Sequence, residues 1–162
     1  MQASVEAAIG RTLRSLQGYR CEGFIIETQD TIQIPMSRSH EEFNGLLEHM
    51  RDMVITERWY SSRVWGEHEF YIGIAVDPYE RMTNSSYGHF RVNGWTRMRL
   101  LAAGDSDDAV RAERHLINIF RDFPDCTNRA PGGEGRCPHG IAEFNYVVLR
   151  DRSIDTPLSL LL

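Results

Sequence analysis

Between Gly104 and Pro124 lies the pattern that most restricts how this chain can fold. Asp105-Ser106-Asp107-Asp108 offers a capping side chain and the negative charge that favours a helix N-terminus, and Pro124 ends the run. With Leu116 as origin and 100° per residue, Ala109, Ala112, Ile119 and Phe120 fall within about 60°, and Val110 and Ile117 within about 120°. Arg111, Arg114 and Asn118 take the opposite face. Glu113 sits inside the apolar arc, at about 60°. A carboxylate on a core face needs a cation, a metal or a hydrogen-bonding group to meet it.

Other elements arrange themselves around that helix. Val5, Ile9, Leu13 and Leu16 give residues 4–16 an amphipathic helical period. Residues 23–35 read as a hairpin, with Phe24, Ile25 and Ile26 before a Gln29-Asp30 turn and Ile32 and Ile34 after it. A second helix is expected over 39–53, where Ser39 precedes Glu42 by three positions and Phe43, Leu46, Leu47 and Met50 follow. Residues 56–64 and 69–76, rich in aromatic and β-branched side chains, predict a second hairpin. Asp77-Pro78 opens a short helix to about Asn84, 96–103 and 142–149 are strands, and 129–140, dense in glycine and proline, is loop.

A chain of 162 residues is long enough for one domain with a real core. No stretch approaches membrane-spanning length, and the N-terminus lacks a secretory pattern, so a cytoplasmic protein, or a nuclear one in a eukaryote, is expected. Three scattered cysteines do not make a disulfide framework. All 18 basic residues are arginine, so any side-chain cation on a phosphate must be a guanidinium. The net charge of −5 argues against a free-standing, tight nucleic-acid binder but leaves room for a local basic face.

Within this frame, Tyr71-Ile72-Gly73 closes the second hairpin, and Tyr60 stands eleven residues earlier on its expected first strand. Such a hairpin can set two phenols on one face. Arg81, on the short helix, can reach back over it, and a fixed cation there suits a phosphate that gains negative charge in a transition state. Asn128 follows Glu113 by fifteen residues.

Tyr60, Tyr71-Ile72-Gly73, Arg81, Glu113 and Asn128 together resemble the GIY-YIG nuclease superfamily over residues 54–149. That resemblance implies an α+β fold with a small central antiparallel sheet of three strands flanked by helices. It would occupy residues 54–150, after an N-terminal helix/hairpin/helix extension over 1–53 and before a tail over 151–162. The implied activity is Mg²⁺-dependent (or Mn²⁺-dependent) endonucleolytic hydrolysis of phosphodiester bonds in nucleic acid, DNA first. The implied roles give the metal to Glu113, water activation to Tyr71 or Tyr60, the phosphate to Arg81 and ordering of the site to Asn128. The first motif here reads Arg58-Trp59-Tyr60 without the family's glycine and isoleucine. Ser85 stands where the family carries a basic residue or histidine; His89 is the candidate substitute and Tyr87 a further one. A catalytically inactive module of the same fold, binding nucleic acid or a protein, is the alternative.

Further signals are separate from that pattern. Gly73, Arg91, Arg97 and Arg99, with Phe90 and Trp95, are expected to line a path for the nucleic acid. Cys126, Cys137 and His139, with Cys21 or His89, are a weaker zinc pattern. The apolar end of the tail is expected to dock on the core or on a second copy of the chain.

Overall fold

The computed structural model describes residues 2–17, 20–21, 23–65, 68–130, 132 and 140–151. In chain order the elements are α1 (Gln2–Leu16), β1 (Arg20–Cys21), β2 (Phe24–Glu27), β3 (Ile32–Gln33), α2 (His40–Trp65), β4 (His68–Ala75), α3 (Pro78–Thr83), β5 (Arg97–Asp105), α4 (Ser106–Phe120) and β6 (Ala142–Asp151). The fold is α+β. One mixed sheet runs in the order β1-β2-β5-β6-β4, with β3 also paired to β5. β6 is central, antiparallel to β4 on one side and to β5 on the other.

Both faces of this sheet are covered, which explains why β5 and β6 read as nearly continuous apolar runs. On one face α2 and α4 bring Phe43, Met50, Val54, Leu116 and Phe120 against Phe70, Ile72, Leu101 and Val147. On the other, α1 and α3 bring Val5, Ile9, Leu16 and Met82 against Met98, Leu100, Phe144 and Val148. Leu101 is an unpaired extra residue of β5, between Leu100 opposite Tyr146 and Ala102 opposite Asn145, so the strand bulges there.

Three expectations are corrected. Residues 56–64 are not a strand but the second half of α2, which runs unbroken across residue 53. Met50 and Val54 continue the helical seam of Phe43 and Leu47, and their complete burial outweighs the strand preference of the aromatic and β-branched residues that follow. Residues 23–35 do not form a hairpin, because β2 and β3 each pair in parallel with β5, at Arg97–Arg99 and at Ala102–Ala103. The central sheet is consequently mixed and larger than the three-stranded antiparallel one expected; β4, β6 and β5 are antiparallel neighbours, as are β1 and β2, while β2 and β3 join β5 in parallel. No helix among the described residues is long and apolar enough to cross a membrane.

The edge of β4 is closed by chain rather than left to solvent. The Phe70 N–H donates to the Asp125 carbonyl at 3.0 Å, and the Thr127 N–H to the Phe70 carbonyl at 2.9 Å. Asn128 then serves both backbone groups of Ile72, accepting from its N–H and donating to its carbonyl, each at 2.9 Å. Asp125 is held in turn by a two-point contact from Arg58 of α2, at 2.7 and 3.1 Å.

Removing the packing under the bulge tests this arrangement. Leu101→Ala leaves a cavity in a wholly buried site and is expected to cost about 2–5 kcal/mol of unfolding free energy, read by denaturant titration.

Candidate functional site

β4 and β6 run side by side, and their register sets Gly73 opposite Tyr146. A Cβ at Gly73 would lie 2.6 Å from Cζ of Tyr146, so only glycine lets the phenol lie across the strand. The Tyr146 hydroxyl then reaches Nε2 of His89 at 2.7 Å. Tyr71 lies on the other side of the same imidazole, with ring centroids 5.3 Å apart.

His89 owes its place to α3. Asp77 caps that helix by accepting from the Glu80 N–H at 3.1 Å, and Pro78 starts it, which sets the direction of the turn carrying Arg81. The chain folds back over the helix end, where the His89 N–H donates to the Arg81 carbonyl at 2.8 Å. Gly88 passes so close to Met82 that a Cβ would stand 2.6 Å from its carbonyl oxygen.

From the far side, α4 presents Glu113. Asn145 of β6 donates to the Ala109 carbonyl at 2.9 Å and Ser106 donates to Glu143 at 2.7 Å, fixing the first turns of α4 against β6. Gly132, with φ of 79°, passes beside Glu113, where a Cβ would lie 3.2 Å from Oε1. The result is a cavity of about 420 Å³ that includes Tyr71, Gly73, Arg81, Glu113, Asn128, Arg129, Glu143 and Tyr146 in its walls.

Protonation states in this cavity follow from burial. Desolvation, assisted by the Arg81 guanidinium, takes His89 from its ordinary 6.5 down to about 4, so the imidazole is neutral at pH 7. Burial raises Tyr71, with the Glu113 carboxylate adding to the rise and Arg81 opposing it. Tyr146 is raised further, again chiefly by burial, and both phenols keep their protons at neutral pH. Arg81 lies beside Tyr146 and opposes that rise. With the neutral imidazole protonated on Nδ1, Nε2 accepts from the Tyr146 O–H; with the proton on Nε2, the phenol oxygen accepts instead.

Of the residues singled out in the sequence, Tyr71, Gly73, Arg81, His89, Glu113 and Asn128 gather at this cavity or against it. Tyr60 does not join them. It lies on α2, beside Glu57, Arg97 and Arg99, in a separate cavity between α2 and the β2–β5 part of the sheet. Arg97 and Arg99 lie apart from the Glu113 cavity as well: Arg97 is hydrogen-bonded to Glu57 and meets Glu27 at 3.4 Å, while Arg99 lies about 4 Å from both carboxylates. Side chains with 10% and 13% of their surface exposed and charges already matched have little to offer a backbone phosphate. Arg91 is exposed in the turn after His89 and outside the cavity wall.

Tyr146 is the residue that local reading missed. Its strand was recognisable by alternation, but nothing near it in the chain pairs it with β4. Cys126 is buried and makes its contact with Asn128 at 3.4 Å, whereas Cys137, His139 and the side chain of Cys21 lie outside the described residues. No cluster of three or more His, Cys, Asp or Glu that could hold a metal occurs among the described residues.

Two outcomes follow from this geometry. Gly73→Ala should displace Tyr146 and destabilise the fold by about 1–3 kcal/mol, with loss of the Tyr146–His89 contact in the variant's crystal structure. The buried neutral His89 makes the unfolded chain the better proton binder below pH 6.5, so stability is complete above that value and is lost as pH falls towards about 4. Unfolding free energies measured across that window should show the decline, and His89→Gln should reduce it. Compared with protein-family models, curated proteins and solved structures, the chain matches none.

Proposed function

We propose that this cavity hydrolyses phosphodiester bonds in nucleic acid, DNA first, as a Mg²⁺-dependent or Mn²⁺-dependent endonuclease. The observation that carries the reading is the Tyr146–His89 hydrogen bond at a cavity lined by Tyr146 itself with Tyr71, Arg81 and Glu113. The GIY-YIG resemblance asks for two phenols on neighbouring strands; here the strand beside Tyr71-Ile72-Gly73 is β6, and Tyr146 fills the role first given to Tyr60.

The donor set is compatible with a hard cation. Mg²⁺ is commonly held by one or two carboxylates together with water and substrate oxygens, and Glu113 and Glu143 are the carboxylates in the cavity wall. Glu143 accepts a hydrogen bond from Ser106 at the start of α4, and the resemblance gives the ion to Glu113. When bound, the ion supplies Lewis-acid stabilisation of charge on the phosphate and the leaving oxygen.

Proton movement belongs to the side chains. A phenol that keeps its proton cannot accept another until it gives one up, and His89 is the acceptor already in contact. As a water oxygen bonds to phosphorus and the bond to the leaving oxygen breaks, the water proton passes to the Tyr146 oxygen and the Tyr146 proton to Nε2. Arg81, beside both phenols, offers fixed positive charge to the non-bridging oxygens, and Tyr71 can hydrogen-bond to water or phosphate across the imidazole. Asn128 acts through β4, by fixing Ile72 between Tyr71 and Gly73.

Plasmid incubated with Mg²⁺ tests the assignment. Tyr146→Phe is expected to lower cutting by about 10²–10⁴-fold, the size of effect typical of losing a general acid–base group. Glu113→Gln should lower it as severely, EDTA should stop it, and Tyr60→Phe should leave it within about twofold. Loss on Tyr60→Phe with full activity in Tyr146→Phe would reverse the roles, and binding without cutting by the unsubstituted protein would identify an inactive module.

A further inference from the structure

Several guanidiniums are held by carboxylates: Arg38 pairs with Asp108, Arg58 with Asp125, and Arg97 and Arg99 approach Glu27 and Glu57. The outer face of α4 gathers others. Arg111, Arg114, His115, Asn118 and Arg121 border one shallow depression of about 560 Å³, all from a single helix. Arg111 lies 4.0 Å from Asp108, but Arg114 and Arg121 have no carboxylate partner among the described residues. In a chain of net charge −5, the exposed Arg114, His115 and Arg121 make a local basic patch on α4.

Helical phase joins this face to the cavity. From Arg114 at zero, Arg121 lies at about −20°, Ile117 at about −60° and Glu113 at about −100°. Ile117 and Glu113 both belong to the cavity wall, so the arginines occupy the helix face next to it. Along the axis, Arg114 and Arg121 are separated by roughly 10.5 Å, the rise of seven helical residues.

We propose that the outer flank of α4 is a backbone-binding surface for nucleic acid, with Arg114 and Arg121 on phosphates of the strand that the cavity takes. The inference rests on the hydrolytic reading for the direction of the strand, and the surface can fail without that reading failing. The contacts are to phosphate, so they add affinity that depends on salt and no sequence preference.

Fluorescence anisotropy of the full chain with a labelled 20-base-pair DNA duplex, in EDTA and across a salt series, is the test. The pair Arg114→Ala/Arg121→Ala should weaken binding at least tenfold at low salt and reduce the slope of log K against log salt by about two. Arg11→Ala/Arg14→Ala, on the exposed side of α1 over the opposite face of the sheet, should change affinity less than twofold. Hydrolysis of bis(p-nitrophenyl) phosphate with Mg²⁺, too small to reach α4's outer face, should be the same with and without the α4 substitutions. No duplex binding by the unsubstituted protein, unchanged affinity and slope in the α4 pair, or an equal loss in the α1 pair each overturns the surface. Absence of Mg²⁺-dependent hydrolysis of both the small diester and plasmid overturns the hydrolytic reading instead, and the anisotropy series still decides on the surface.

Discussion

The contact of Tyr146 over Gly73 is the constraint from which the rest of the site follows. It exists because β6 runs antiparallel beside β4 in a register that sets the smallest residue opposite a full phenol. A larger residue at 73 would push the ring away from His89, and a one-residue slip of β6 would turn Tyr146 to the other face of the sheet. The edge contacts from Asp125, Thr127 and Asn128 hold β4 in place, and Arg58 ties that edge segment to α2. Elements far apart in the chain therefore converge on one position of one strand.

Burial gives the cavity its chemistry. It keeps a histidine neutral beside two protonated phenols, with the Arg81 guanidinium next to them. The second cavity, around Arg97, Arg99, Glu27 and Glu57, shows the contrast. There the same residue types face opposite charges, and the outcome is a link between α2, β2 and β5.

Much of this was legible from local pattern. α1, α3 and α4 follow from apolar period and capping residues, and the inward phase of Glu113 follows from counting 100° per residue. Six of the singled-out residues, Gly73 included, gather at the cavity or against it. What could not be read was pairing at long range: Tyr71 looks eleven residues back to Tyr60 for a partner, but the strand that pairs with β4 lies far downstream. The aromatic and β-branched residues near Tyr60 have strand preference, which the buried seam of α2 overrides. Strand alternation placed Arg97 and Arg99 on one face of β5 but could not reveal the carboxylates that α2 and β2 bring to it.

The most direct measurement is a crystal structure with Mn²⁺ and a non-cleavable phosphodiester. The account predicts one anomalous peak at about 2.2 Å from an oxygen of Glu113, with a phosphate between Arg81 and the two phenols, Tyr71 and Tyr146. A metal bound away from Glu113, or a phosphate seated in the Tyr60 cavity and not in this one, would contradict it.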